Sequence, residues 1–266
     1  MDTITAKSGQ TPRTETNQAD RRFRVLNPGA TWFRSDWSRA LFIHYEVEAA
    51  LLQPFVPFEL DLWQGRALIS LVAFTMRRLR PHRGGAAMEW LFRPIATHGL
   101  LNLRTYVRGS QESGIYFLAE WIPNRLSCWL GPLTYGLPYR LGALDYQHAH
   151  ESGELGGRVQ VDGASFAYEA EFRAAESFQP AGPGSLGEFA SERYTAFTGK
   201  GRIRRCFHIA HAAWPQREVS VKVTDDSLLR QGQPWFAGAR FAGAHYSPGV
   251  TEVWMSRPRW LGGLRV

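Results

Sequence analysis

The sequence predicts an α+β fold that is mainly antiparallel β: a barrel or cone with flanking strands and a few peripheral helices. Three observations predict it. A chain of 266 residues, 44% hydrophobic and 13% aromatic, can bury a full core, and 26 Gly and 15 Pro beside 10 Trp and 16 Phe favour strands and turns over helical bundles. Short alternating runs recur at close spacing, with few stretches of helical period. Finally, Leu100–Val107 and Ile115–Trp121 read as a hairpin with two unlike faces. Side chains alternate along a strand, so Leu101, Leu103, Thr105 and Val107 share an apolar face, whereas Asn102, Arg104 and Tyr106 share a polar, aromatic one. A register pairing Tyr106 with Tyr116 sets Leu118 opposite Arg104 and Glu120 opposite Asn102, making Arg104 and Glu120 diagonal neighbours. One face packed under a second layer and one turned inward is the pattern of a barrel with a wet or ligand-filled interior.

Taken in order, residues 1–24 hold almost nothing apolar and read as a disordered tail, and residues 25–266 read as one domain. Order is expected from near Trp32. Ala40–Val47 is a strand by its β-branched and aromatic content, with Phe42, His44 and Glu46 on one face. Glu48–Gln53 reads as a short helix stopped by Pro54 and Pro57. Leu60–Trp63 and Ala67–Phe74 read as a hairpin around Gln64-Gly65, its second strand central because it is apolar on both faces. Arg77–Met88 reads as a strand end and loop. Asn124 is the N-cap of a helix to Tyr135, with Leu126, Trp129, Leu130 and Leu133 as its apolar stripe, although Gly131-Pro132 are candidate breakers. Leu141–Tyr146, Gly157–Val161 and Ser165–Phe172 alternate as strands, with Asp162-Gly163 as a hairpin turn. Gln179–Gly184 is a loop, and Ser185-x-x-Glu188 is a capping box for a short helix. Arg202–His211, Arg217–Val223, Ala239–Tyr246 and Val250–Met255 complete the strands.

The formal charge of +7 is carried almost wholly by arginine, with lysine only at positions 7, 200 and 222. Basic pairs at Arg21-Arg22, Arg77-Arg78 and Arg204-Arg205 are scattered and come with no nucleic-acid-binding motif, so they read as a solvated surface and no nucleic-acid partner is expected. No apolar run is long enough to span a membrane, and the N-terminal residues hold no signal-like apolar stretch. Cys128 and Cys206 make no disulfide framework and read as structural thiols, so a cytoplasmic location is the expectation. A homo-oligomer is compatible with the sequence. Walker, Rossmann and Gly-x-Ser-x-Gly patterns are missing, so no cofactor is expected.

Seven blocks, spread from about Trp32 to Val253, carry a family resemblance: Phe42–Val47, Pro57-x-x-Leu60-Asp-Leu, Asn102–Val107, Gly136-Leu-Pro-Tyr139, Glu192-Arg-Tyr194, His211-x-x-Trp214-Pro215 and His245-Tyr-Ser-Pro-Gly-Val250. Together they resemble the YqjF-like family of uncharacterised proteins in the acetoacetate decarboxylase-like superfamily. The resemblance implies a β-barrel or cone around a small-molecule pocket. In acetoacetate decarboxylases proper, a Gly-Tyr-Pro-Lys-Lys turn supplies a Schiff-base lysine and a neighbour that lowers its pKa. The matching turn here is Gly136-Leu-Pro-Tyr-Arg140, with Tyr139 and Arg140 in place of the lysines. Tyr has no amine and Arg stays protonated, so Schiff-base decarboxylation is not expected.

The expected ligand-binding residues are Asn102, Arg104, Tyr106, Glu120, Tyr139 and Arg140, with Tyr139, His44 and Glu120 as candidates for catalysis. Arg104 offers a fork to a carboxylate, or pairs with Glu120 to close the barrel. Tyr139 is a general acid or a plug packing the turn, and His44 is a base oriented by Glu46 or a satisfied strand residue. His208 and His211 are three apart, which on a strand puts them on opposite faces, so no metal site is expected. His148 and His150 flank a turn and are expected to be exposed. These residues point to a pocket for a small organic acid or carbonyl compound. The alternative is a non-enzymatic structural or interaction protein whose Arg-rich surface meets an acidic partner.

Overall fold

The structure is a computed structural model that describes residues 31–109, 112–173, 177–200 and 202–261. The expected tail, residues 1–24, lies outside the described residues. The first half of the chain forms β1 (Thr31–Val47), α1 (Ala49–Leu52), β2 (Glu59–Leu60), β3 (Ala67–Pro81), α2 (Gly85–Phe92), β4 (His98–Arg108), β5 (Ser113–Ile122) and α3 (Arg125–Thr134). Then come β6 (Tyr139–Leu141), β7 (Ala143–Ala149), β8 (Glu154–Val161), β9 (Ala164–Glu171), β10 (Gln179–Pro180) and α4 (Leu186–Ser191). The chain continues through β11 (Thr195–Lys200), β12 (Ile203–Ala210), β13 (Pro215–Glu218), β14 (Ser220–Asp225), α5 (Ser227–Gly232), β15 (Arg240–Ser256) and β16 (Arg259–Trp260).

The large sheet runs β15-β1-β3-β4-β5-β11-β12, and β12 pairs back onto β15 through Ile209–Met255 and Ala210–Trp254. The sheet thus closes into a ring, which removes its main edges. Its pairs are antiparallel except β5 with β11 and β5 with β6. A second sheet, ordered β14-β9-β8-β7, is wholly antiparallel. The ring's two faces have different fates. Leu41, Ile43, Leu71, Leu101, Leu103 and Trp121 pack with Val159, Phe166 and Tyr168 of the second sheet. Phe42, Val72, Phe74, Tyr106, Phe117 and Phe207 meet one another across the ring's interior. Burying each such side chain contributes about 1.5–3 kcal/mol, so strand period alone fixes which face turns inward.

Several elements differ from the sequence expectation, each for a local reason. In the β4–β5 hairpin Asn102 does face Glu120, but Arg104 faces Phe117 and Tyr106 faces Ile115. A bulge at Leu118 shifts the register by one residue, so Tyr116 turns outward and Phe117 inward. The Gln64-Gly65 turn forms with both residues at positive φ, closing a Trp63–Arg66 bridge, yet β2 pairs with β4 and not with β3. β3 continues through Arg77 to Pro81, and α2 follows where a loop was expected. Arg217–Val223 is two strands, β13 and β14, in different sheets, whereas Ala239–Tyr246 and Val250–Met255 are one strand, β15.

α3 starts where expected, with the Asn124 side chain accepting from Ser127 N at 2.9 Å. Of its expected stripe, Leu126, Trp129 and Leu133 face solvent at 44%, 63% and 61% exposure, whereas Leu130 is half-buried. The buried face is Ser127 and Gly131. A Cβ at Gly131 would lie 2.4 Å from the Tyr139 ring, so only the small-residue side of the helix can approach the turn that follows it. Gly136, at φ +73°, then closes the helix, its N–H donating to Pro132 O at 3.1 Å. Ser185 caps α4, its Oγ accepting from Glu188 N, and the Glu188 carboxylate reaches back one residue past the cap to accept from Gly184 N.

Candidate functional site

The site is built from the inward rows of five neighbouring strands, β15, β1, β3, β4 and β5. Cross-strand pairs share a face, and the register places Phe42 beside Val72 and His245, His44 beside Ser70, Ser70 beside Arg104, and Asn102 beside Glu120. Tyr139 joins them because β6 lies parallel to β5 with Tyr139 against Glu120. Arg140 pairs with Trp121, which belongs to the outer face. Adjacent residues on a strand point to opposite sides, so only one of the pair enters the ring. Arg140, expected in the pocket, is instead exposed, its guanidinium 6.0 Å from the Trp121 ring centroid.

Between these rows lies a narrow cavity of about 70 Å³, lined by Phe42, Val72, Phe74, Asn102, Arg104, Phe117, Glu120, Tyr139, Arg193 and Trp214 among others. Its polar groups are buried and incompletely used. Arg104 is 8% exposed, and its Nη2 donates to Ala190 O of α4 at 2.8 Å while Nε has no partner. Its guanidinium lies 5.4 Å from the Phe42 ring centroid and 5.9 Å from that of Tyr106. Glu120 Oε2 and Asn102 Oδ1, on residues 3% and 5% exposed, also lack partners. The expected Arg104–Glu120 ion pair does not form: the guanidinium turns toward α4 and lies across from Phe117, the residue that the bulge brings inward.

Burial sets the protonation of this lining. It raises the Glu120 carboxyl well above its ordinary value, and the Arg104 charge only partly opposes the shift. Burial likewise raises the Tyr139 phenol, with Glu120 adding to the effect. Arg193 brings a second guanidinium to the wall, but Asp61 neutralises it at 2.8 Å and Phe189 lies beneath it at 4.2 Å. The lining therefore offers one cation without an ion-pair partner, Arg104, and two groups that burial biases toward their neutral, proton-donating forms.

His44 behaves differently from its expectation. Glu46 does not orient it but sits at the strand end near Arg66 and Arg240 at 3.9 and 3.6 Å. His44 Nδ1 is 2.7 Å from Ser70 Oγ, Ser70 Oγ is 2.5 Å from Tyr106 Oη, and His44 Nε2 is 3.0 Å from His245 Nδ1. Both imidazoles are neutral: burial, then His245, then Arg104 lower His44 well below its ordinary value, while burial and Arg104 take His245 to about 3. This chain packs behind Arg104, and Tyr106 serves in it instead of facing the cavity. Ser70, Arg193 and His245 were not among the expected site residues. A serine midway along an apolar strand was the available signal for the first.

The remaining histidines divide. His211 lines the cavity beside Tyr194 and Trp214, at ring-centroid distances of 4.9 and 5.6 Å. His208 lies outside it, 3.0 Å from Thr195 Oγ1 and 2.7 Å from Arg259. His148, expected at the surface, is 4% exposed and bonded to Tyr168 Oη at 2.7 Å and Arg39 O at 2.8 Å. Among the described residues no group of three or more His, Cys, Asp and Glu side chains is placed to hold a metal. Among the described residues no lysine lines the cavity, and Lys222 is exposed on β14. A larger hollow of about 650 Å³ on the second sheet is bordered by exposed Glu154, Glu169, Glu171 and Lys222, whose charges are solvated.

Residues 34–251 match the model of the DUF2071 family, described as uncharacterized conserved protein. The chain belongs to this family. The match runs from β1 into β15 and includes every residue of the ring cavity except Met255. Uncharacterized protein YqjF of Bacillus subtilis (strain 168) is 27% identical over 220 residues, 77% of this chain and 87% of that protein. Among solved structures, an acetoacetate decarboxylase-like enzyme from Sphingomonas wittichii RW1 aligns with a TM-score of 0.62 at 14% identity, over 88% of this chain and 94% of that one. The enduracididine biosynthesis enzyme MppR complexed with pyruvate aligns with a TM-score of 0.60 at 13% identity, over 88% and 91%. At these identities the solved structures speak for the fold. This DUF2071 chain therefore has an acetoacetate decarboxylase-like fold, and its chemistry must be argued from its own residues.

Proposed function

We propose that the ring binds a small organic acid or carbonyl compound, with Arg104 anchoring the anion and Asn102 completing the contact. The carrying observation is the trio of buried, unpaired atoms, Arg104 Nε, Asn102 Oδ1 and Glu120 Oε2, on one cavity wall. An unmet buried polar group costs roughly 1–3 kcal/mol, more when charged, and a ligand carboxylate relieves that cost at the guanidinium. A fold neighbour complexed with pyruvate is in keeping with an occupant of this size and charge.

The lining supplies groups for acid–base chemistry. Burial raises the Glu120 carboxyl and the Tyr139 phenol, which favours the forms that direct an O–H at a carbonyl oxygen where charge develops. We do not propose covalent amine catalysis: by the family resemblance Tyr139 and Arg140 fall at the lysine positions, and among the described residues no lysine lines the cavity. Thermal-shift and calorimetric titration with pyruvate and acetoacetate, against their neutral amides, test the reading. The acids should raise the melting temperature, by about 2.7 kcal/mol of stability at a hundredfold excess over Kd, and the amides should not. Equal effects of acid and amide would remove Arg104 from the anchoring role.

A further inference from the structure

A cavity of about 70 Å³ holds a head group, whereas sites for whole small ligands run to about 300–1,000 Å³. A second cavity of about 500 Å³ adjoins it, and Met76, Leu137, Tyr139, Phe207 and Met255 line both. The two are therefore separated only by a collar of these five side chains, two of them flexible methionines. The outer chamber's walls are apolar: Trp32, Phe33, Leu79, Phe92, Ile95 and Leu130 face it from β1, β3, the α2 region and α3. The arginines lining it, Arg83 and Arg257, are exposed, and the guanidinium of Arg257 lies over the Trp32 ring at 5.9 Å. Its one histidine, His98, is held neutral by burial.

The order of environments inward is thus an exposed rim with two cations, an apolar chamber, a Tyr139 collar, and a lone buried guanidinium. A compact acid such as acetate would leave the apolar chamber with nothing to do. We infer that the ligand is an amphipathic carboxylic acid, its head at Arg104 and a hydrocarbon or aryl body of several carbons in the chamber lined by Trp32, Phe33, Phe92 and Leu130. The inference rests on the proposed anion site and adds the class of molecule that fills it. The collar supplies the passage: unbranched methionines repack readily around a chain, and Tyr139 borders both cavities.

Titration calorimetry with butyrate, hexanoate, octanoate and decanoate, each below its micelle concentration, tests this. Each methylene placed in the chamber should tighten binding up to about fourfold, so affinity should climb from butyrate to octanoate by tenfold or more. Leu130→Trp, which fills the chamber, should flatten the series, bringing octanoate down toward the affinity of butyrate. Met88→Glu, on a helix with no buried residue, should weaken the long acids selectively, and its melting curve guards against a failure to fold. Butyrate binding that depends on Arg104 with no gain from longer chains would overturn the chamber's role and leave the anion site standing. Long acids binding equally well to Arg104→Leu would overturn the head-and-body arrangement. No binding by any member would overturn both.

Discussion

Replacing Arg104 separates a ligand anchor from a structural strut. In the folded chain this guanidinium is buried, makes its hydrogen bond to Ala190 O, leaves Nε unpaired and has no carboxylate in ion-pair contact. Replacing buried ionic groups by well-packed apolar side chains is often neutral or stabilising by about 1–4 kcal/mol, and Arg104, with no ion-pair partner, has no Coulombic gain to lose. Against this stands the Ala190 carbonyl, which loses its donor at a cost of roughly 1–3 kcal/mol. The two nearly cancel, so Arg104→Leu should keep or slightly raise the melting temperature, at about 2–4 °C per kcal/mol for a chain of this size. Acid binding should fare otherwise. Losing one partner of a buried, hydrogen-bonded charge pair costs about 2–5 kcal/mol, a weakening of about 30-fold to a few thousandfold. Arg104→Lys keeps the charge but not the planar fork, so its loss should be smaller. Differential scanning fluorimetry with calorimetric titration of pyruvate reads both effects on one sample. A fall of about 10 °C with acid binding intact would mean that Arg104 holds α4 in place and binds nothing.

Three further expectations follow from other parts of the chain. Borohydride reduction in the presence of acetoacetate should leave the mass of the protein unchanged, because the proposed site draws on Tyr139 and Glu120 and among the described residues no lysine lines it; an adduct on Lys200 or Lys222 in the mass spectrum would contradict this. His148, buried against Tyr168 and lowered from its ordinary value to about 4, has its folded pKa depressed, so the unfolded chain binds its proton first and stability falls as pH drops from about 6.5 toward 4. His148→Gln, measured by denaturant unfolding across that window, should remove up to about 3 kcal/mol of the acid slope. Trp129→Ser and Leu133→Ser should change unfolding free energy by about 0.5 kcal/mol or less, because both side chains are exposed on α3; a loss above 2 kcal/mol would show that the stripe packs on something after all.

Much of the architecture was legible because strand period is a two-way choice. Leu101, Leu103 and Val107 on one face and Asn102, Arg104 and Tyr106 on the other forced which side of β4 turned inward, and the structure keeps that division. What composition could not reveal was a one-residue insertion in the partner strand. The bulge at Leu118 has no sequence marker, yet it turns Phe117 toward Arg104. The α3 stripe misled for the opposite reason. Its 3.6-residue period is real, but Gly131 must lie against the Tyr139 ring, and that single close approach rotates the apolar face into solvent. Arg140 failed on alternation, a rule already applied to β4 but not to a turn that ends in a three-residue strand. For His44 the sequence left open a base oriented by Glu46 or a satisfied strand residue; its partners come from β3 and β15, far away in sequence, and a neighbour such as Glu46 could not stand in for them.

The charge of the ring interior has one more consequence. Arg193 is balanced by Asp61, and His44 and His245 are kept neutral by burial and by Arg104. Glu120, its carboxyl raised well above the usual range, is the remaining group able to offset Arg104. A ligand carboxylate arriving at Arg104 competes with an ionised Glu120, since two anions beside one guanidinium repel. Binding should therefore take up a proton wherever Glu120 is partly ionised, and affinity should fall as pH rises through its folded pKa. The same raised pKa has a stability signature: the contribution of Glu120 is fully present below about pH 4.5 and is lost as pH rises through the folded value. Glu120→Gln, always neutral and nearly isosteric, should bind the acid with no pH dependence from this group and should be relatively more stable than the parent on the alkaline side. Titrations in two buffers of different ionisation enthalpy count the protons directly. Affinity that is flat from pH 5 to 9 in the parent chain, with no proton uptake in either buffer, would separate Glu120 from the anion site.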